Sequence, residues 1–347
     1  MNIHIKKGMV FCAGLGTRLL PLTENIPKPL VPILNISNVL YALFLLKEAG
    51  IEQAIINLHH LGDEVRSFLG NGNRFGVKLS YSEEKTLLGT GGGLKKAEAF
   101  FESHPFVLLN CDFISNVQLL PIIDKHIHRN ALATMVLCEN KAIQSAYSEV
   151  GIDPSGHLCK IADHQHSDPV RIGIFTGIHI LSPEIFSYLR EVPSSIVRSF
   201  YSPAMSESPN RFWGEFLTKE YWYDTGDLYS LWGSTMSLFE RLSEQDRFLS
   251  RLLTFHGYKE KKPATWSKGN QPLPPLNSPM VVGENCSVGT GAYLARTVLG
   301  ENTTVCPRSR IENSVVFPHS KVETKSYCNS ILWGSSVIQL DPKKLIE

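Results

Sequence analysis

Arg18 and Lys28 mark the two ends of a short loop in the stretch FCAGLGTRLLPLTENIPKPL, Phe11 to Leu30. Gly14 and Gly16 stand just ahead of Arg18. Glycine lets a backbone turn its amides toward an anion, and at the end of a strand such amides form a nest. Arginine adds a planar fork for phosphate oxygens and lysine a point charge. Pro27 and Pro29 fix the backbone on both sides of Lys28 and so aim its side chain. The loop therefore reads as a cradle for a phosphate-rich ligand. It is not a Walker loop, since GxxxxGK[ST] is absent. It is not a dinucleotide fingerprint either: Leu19 stands where the third glycine belongs, and Pro21 follows closely.

The surrounding pattern puts this loop where chemistry is expected. GMVFC (8–12) is a short apolar strand. Helical spacing follows from Asn38 to Ala49, with Gly50 as its stop. QAIINL (53–58), VKLSYS (77–82), PFVLLN (105–110) and ALATMVL (131–137) read as strands, with helices over Thr90 to Phe100 and 117–129. Strands alternating with helices imply βαβ units and a mostly parallel sheet, whose ligands sit at the carboxyl ends of the strands. The cationic loop leaves one such end and Asp112 another. Further strands are expected over 148–180, a short helix from SPEIF (182–186) and a long one from Leu228 to Leu242.

The chain of 347 residues exceeds one ordinary core, and 43% hydrophobic with 19% charged residues fits a globular protein. A net charge of +1 gives no broad field to attract nucleic acid or an acidic membrane. Seven scattered cysteines without a CxxC pair predict reduced thiols in the cytoplasm, with no disulfide framework or structural zinc. The apolar run near the N-terminus is too short for a signal-peptide core, and no segment approaches a membrane span.

From Lys259 to Pro279 lysines and prolines replace apolar residues, which predicts a linker. Beyond it the tail repeats in rows of seventeen: VGENCSVGTGAYLARTV (282–298), LGENTTVCPRSRIENSV (299–315) and VFPHSKVETKSYCNSIL (316–332). Val282, Leu299, Val316 and Trp333 share one column. Val288, Val305 and Val322 share a second, and Leu294, Ile311 and Cys328 a third. Three short strands per coil, each burying a small apolar side chain, predict a left-handed parallel β-helix. The expected division is a Rossmann-like α/β domain over 1–256, a linker over 257–279 and the β-helix over 280–347.

The stretch AGLGTRLLPLTENIPKPLVPI (13–33) resembles the signature of the nucleotide-diphospho-sugar pyrophosphorylases. The likeness continues through INLHHLGDEV (56–65), LGTGGGLKKA (88–97), NCD (110–112), FTGIHILSPEIF (175–186) and WYDTGD (222–227), over nearly the whole chain. It is similar to mannose-1-phosphate guanylyltransferases and N-acetylmuramate-1-phosphate uridylyltransferases. The resemblance implies joining a nucleoside triphosphate to a sugar 1-phosphate with release of pyrophosphate. It also implies Arg18 on the leaving pyrophosphate, Lys28 on the reacting phosphates, and Asp112 and Asp224 as carboxylates for Mg2+. Without it, those two aspartates would read as a strand-end turn residue and a turn before a helix capped by Asp227.

The resemblance further assigns Ala13, Gly14, Gly16 and Thr17, and Gly89, Thr90 and Gly91 of the second glycine cluster, to the nucleotide. Glu83 or Glu84 would read the base edge. A carboxylate can accept from N1–H and the amino group of guanine, which favours GTP. On the sugar side it implies Gly151 and Thr176, with Asp163 and His164 where the family has Glu-Lys before a proline. That departure leaves open the sugar and a binding or regulatory homologue without catalysis. A uridylyltransferase and a GTP-dependent heptose-1-phosphate enzyme also stay open. His59 and His60 face opposite ways on a strand and do not read as a metal pair. The β-helix is expected to form an oligomerisation surface.

Overall fold

The computed structural model describes residues 5–139, 147–269 and 279–345. The chain divides into two compact units. One comprises Met1–Thr17, Thr23–Leu30 and Asn38–Trp222, and the other Arg18–Leu22, Val31–Ser37 and Tyr223–Glu347.

The first unit is built on four parallel strands. Lys7–Phe11 lies at their centre, with Gln53–Leu58 and then Lys78–Glu83 on one side and Phe106–Asn110 on the other. The three inner strands are largely buried and mostly apolar, as sheets covered on both faces require, whereas the edge strand Lys78–Glu83 is mostly polar and exposed at both ends. The chain winds outward from the central strand and then returns to its opposite side. A crevice therefore opens between the ends of Lys7–Phe11 and Phe106–Asn110. Phe11 pairs with Asn110, so Cys12 and Cys111 leave the sheet side by side. The first helix, Asn38–Glu48, has nine consecutive buried residues from Asn38 to Leu46 and ends before Gly50, whose φ is +73°. The expected helix over Thr90 to Phe100 is two helices, Gly89–Lys96 and Glu98–Phe101.

The sheet then continues antiparallel. The eleven-residue strand Arg171–Leu181 pairs with Phe106–Asn110 and with Ala133–Cys138, and its first half pairs with Glu149–Ile152. A phenylalanine cluster packs beneath: the rings of Phe101 and Phe106 stack at 3.9 Å, and Phe186 stacks on both.

In the second unit, parallel strands climb in steps of seventeen residues. Met280 pairs with Thr297 and Thr297 with Ser314, while Ser287 pairs with Thr304 and Thr304 with Lys321. Val282, Leu299, Val316, Val305, Val322, Leu294 and Ile311 share one core, as the columns require. The last row slips. Val316 pairs with Leu332 and Ile311 with Tyr327, steps of sixteen, so Trp333 and Cys328 leave their expected columns and Leu332 enters the core. The next strand, Ser336–Gln339, turns back antiparallel.

Two boundaries differ from expectation. Lys259–Lys262 and Thr265–Ser267 are strands, and the second pairs parallel with Met280–Val282, so the expected linker begins as part of the coil sheet. Its residues 270–278 lie outside the described ones. Helices Leu228–Ser243 and Arg247–Phe255 group with the coils and not with the parallel sheet. The cause is local: the Trp232 indole N–H donates to the Asn313 carbonyl, and Arg296 bonds the Met236 carbonyl. Among the described residues, no helix is long and apolar enough to cross a membrane.

Candidate active site

A cavity of about 240 Å³ opens in the first unit at the carboxyl ends of its parallel strands. Its wall takes Cys12, Ala13 and Gly14 from the end of the first strand, Lys28 and Pro29 from the cationic loop, and Gly89 and Thr90 from the second glycine cluster. Asn57, Asn110, Cys111 and Asp112 complete the strand-end side. Ala13, Gly14, Lys28, Gly89, Thr90 and Asp112 are thus brought together as candidates.

Lys28 Nζ donates to Asp112 Oδ2 at 2.5 Å, and both side chains are largely buried. Gly16 is what permits this approach. Its φ is +69°, and a Cβ there would lie 3.0 Å from Lys28 Cβ and 3.0 Å from Thr23 Cγ2. Thr23 Oγ1 also donates to the Gly16 carbonyl at 2.8 Å, closing the loop on itself. Gly16 therefore shapes the loop, and Thr17 is exposed beyond it.

Asn57, which the sequence reading passed over, and Glu84, which it named only as a base reader, tie the two glycine segments together. Cys12 N–H donates to Asn57 Oδ1 at 2.8 Å, Asn57 Nδ2 donates to Glu84 Oε1 at 2.7 Å, and Leu88 N–H donates to Glu84 Oε2 at 2.8 Å. Glu84 is only 4% exposed. Asn57, a buried polar residue near the carboxyl end of the strand QAIINL, was the available signal. Cys12 is buried, and burial followed by the Cys111 side-chain hydrogen bond pushes its thiol well up, so it is an unreactive wall.

Several expected residues stand elsewhere. Glu83 is exposed and paired with Arg66, outside the cavity lining. Its neighbour Glu84 is buried on Asn57 and the Leu88 N–H and is also outside the cavity lining, so the carboxylate argument for guanine loses its physical basis. Gly91 N–H donates to the Ser194 carbonyl at 2.9 Å, and a Cβ there would meet Ser194 Oγ at 2.6 Å, so Gly91 serves helix packing. Thr176 is 1% exposed and its hydroxyl donates to the Val136 carbonyl, because alternation along the strand turns it into the sheet. Gly151 is buried in a strand, where a Cβ would lie 2.5 Å from Pro169 Cβ. Asp163 is exposed. His164 is half-buried, with its ring 5.8 Å from that of His166. An acid–base pair that the sequence reading missed, Glu149 and Lys160 at 2.6 Å, bridges the adjoining strands.

Arg18 and Asp224 belong to the second unit. A Cβ on Gly226 would lie 2.6 Å from Arg18 Nη2 and 3.2 Å from Asp224 Oδ1, so the cation and the carboxylate adjoin at one glycine. Asp227 caps the following helix, accepting from Ser230 N–H at 2.9 Å and from Ser230 Oγ at 2.8 Å. Among the described residues, no three His, Cys, Asp or Glu side chains gather as a metal cage. Single carboxylates completed by phosphate and water are what a hard divalent cation accepts, and Asp112 and Asp224 fit that chemistry.

A family model described as Nucleotidyl transferase matches residues 7–241. The UTP–glucose-1-phosphate uridylyltransferase of Synechocystis sp. is 26% identical over 334 residues, 91% of this chain and 84% of that protein. The mannose-1-phosphate guanylyltransferase of Mycobacterium tuberculosis is 24% identical over 330 residues, 93% of this chain and 83% of that one. A crystal structure of a Bacillus anthracis protein assigned as a glucose-1-phosphate thymidylyltransferase superposes with a TM-score of 0.56 at 23% identity. It covers 67% of this chain and 94% of that one, a likeness of fold.

Proposed function

The chain belongs to the nucleotidyl transferase family, among the sugar-1-phosphate nucleotidyltransferases, and from that premise we propose that it makes GDP-mannose and pyrophosphate from GTP and mannose 1-phosphate. The observation that carries the chemical part is the Lys28–Asp112 pair on the wall of the strand-end cavity. The mannose and guanine part rests on the guanylyltransferase relative. The uridylyltransferase relative favours a second reading, UTP with glucose 1-phosphate.

The reaction needs no covalent enzyme intermediate. An oxygen of the sugar phosphate attacks the α-phosphorus, a new P–O bond forms, and the bond to the β-phosphate oxygen breaks with its electron pair leaving on pyrophosphate. The protein's work is then positioning and charge stabilisation. Backbone amides near Gly14 receive triphosphate oxygens. Lys28, held by Asp112, lies against the reacting phosphates, and Arg18 takes the leaving pyrophosphate. Enzymes of this family generally use a divalent metal; here Asp112 and Asp224 would hold Mg2+, which would neutralise phosphate charge. On the sugar side Asp163 and His164 remain the proposed contacts, whereas Thr176 has its hydroxyl bound within the sheet. The products are small molecules, and self-association through the C-terminal coils belongs to the same proposal.

The test is pyrophosphate release with Mg2+, with GTP, UTP, dTTP, ATP and CTP each set against mannose, glucose, N-acetylglucosamine and N-acetylmuramate 1-phosphates. Release with GTP and mannose 1-phosphate, lost in Asp112→Ala, is the expected result. Release with UTP and glucose 1-phosphate selects the second reading. Silence across the grid would leave the binding homologue.

A further inference from the structure

We propose that the C-terminal coils have a positioning role within the second unit: their main-chain carbonyls hold the segments that set Arg18 and Asp224 beside each other at Gly226. This rests on the function proposed above.

Two side-chain donors reach the coils, one from the hairpin that shares the second unit with Arg18–Leu22 and one from the helix that follows Asp224. Asn35 Nδ2 donates to the Leu299 carbonyl at 2.7 Å, and Trp232 Nε1 donates to the Asn313 carbonyl at 2.7 Å. Asn35, with φ +63°, makes the turn between Pro32–Ile33 and Ile36–Ser37, the hairpin that closes the cationic loop. Leu299 is a fully buried core residue of the coils, so the hairpin is fastened at their core. Trp232 is 3% exposed on the helix Leu228–Ser243. Arg296 reinforces that attachment, donating to the Met236 carbonyl at 3.2 Å and pairing with Glu240 at 3.3 Å.

The helix in turn holds the aspartate. Ser234 Oγ, two residues beyond Trp232, donates to the Asp224 carbonyl at 2.7 Å, and Asp227 caps the same helix. Asn313, Trp232, Ser234 and Asp224 thus form one continuous chain of contacts. At its end Asp224 Oδ1 and Arg18 Nη2 flank Gly226. Coils that served only as a docking surface would not need donors from these segments. Trp232 and Asn35 act here as positioning residues.

The test uses the full chain with Trp232→Phe, which keeps an aromatic ring and removes the N–H, and Asn35→Gly, which keeps the left-handed turn and removes the amide. Calorimetry measures the binding of magnesium pyrophosphate, and steady-state kinetics give KM for the sugar 1-phosphate. The expected result is pyrophosphate affinity weakened about tenfold in each variant, within the ~100-fold that a small misplacement can cost, with the sugar-phosphate KM unchanged. Variants that bind as the wild type does, whatever their melting temperature, would overturn the inference. Asn35 lies in a partly exposed turn, so Asn35→Gly decides the matter should Trp232→Phe not fold. A wild type that neither turns over nor binds pyrophosphate would sink the proposed function and this inference with it. An active wild type with unchanged variants would sink the inference alone.

Discussion

Lys28 and Asp112 are 84 residues apart in sequence, yet their charged atoms meet at 2.5 Å on the cavity wall. The pair fixes a flexible lysine in one direction and keeps a carboxylate beside it at the end of the strand Phe106–Asn110. Lys28→Met and Asp112→Asn should each lower kcat on the order of 10²–10³-fold, the range for removing one preorganised charge from a reacting phosphate. The double variant should lose less than the product of the two, because each residue orients the other. Pyrophosphate release from the three variants checks both statements; equal and fully multiplicative losses would mean that the two act independently.

Glu83 and Glu84 are neighbours with opposite fates. Glu83 is exposed on Arg66, while Glu84 is buried between Asn57 and the Leu88 N–H. Glu83→Gln should leave base preference and nucleotide KM unchanged, since an exposed ion pair contributes at most about 1 kcal/mol. Glu84→Ala should raise nucleotide KM for every base alike, because it unties the Leu88 end of the second glycine segment from the first. It should also destabilise the fold by about 1–3 kcal/mol through the orphaned Asn57 amide. A change in the ratio of GTP to UTP use in Glu83→Gln would restore it as a base reader.

The sequence was most informative where a local motif and the alternation of elements agree. Gly14, Lys28, Gly89 and Asp112 sit at the ends of elements whose alternation is plain, so motif and topology point to the same cavity. Thr176 was misplaced because its motif says nothing of the face it takes, whereas strand alternation turns its hydroxyl onto Val136. Asn57 was missed, and Glu84 was given another role, because a buried relay shows no pattern until the strands are side by side. The coil columns held until the step fell from seventeen to sixteen between Val322 and Ser326, and a one-residue slip turns side chains to the other face. The helix Leu228–Ser243 sided with the coils through Trp232 and Arg296, contacts across long separations that spacing does not encode.

Two buried histidines set the acid limit of the fold. Burial pushes His126 down to about 4, with its ring between the Thr134 and Ser182 hydroxyls. Burial also pushes His179 down to about 3, beside the Tyr201 hydroxyl. Both are neutral in the folded state, while the unfolded chain takes up protons below about 6.5. Their contribution is complete above pH 6.5 and is lost as pH falls toward 4. By pH 5 each should have cost about 2 kcal/mol. Urea midpoints between pH 8 and 4.5 should fall along this curve, and His126→Gln should flatten it; a midpoint constant down to pH 5 would contradict the neutral burial.

Gly226 and Gly89 should respond differently to the same added methyl group. At Gly89 the φ of +66° strains any side chain, and the new Cβ would lie 2.6 Å from the Ser194 carbonyl, which is backbone and cannot swing away. Gly89→Ala should therefore cost stability, about 1–3 kcal/mol, along with nucleotide affinity. At Gly226 the nearest atom is Arg18 Nη2, also at 2.6 Å but at the far end of an exposed, flexible side chain. Gly226→Ala should fold as the wild type does, with urea midpoints nearly unchanged, while the displaced guanidinium loses its place beside Asp224. Pyrophosphate binding should then weaken without a matching loss of stability. If Gly226→Ala kept full affinity for pyrophosphate, Arg18 would not be the residue that receives the leaving group.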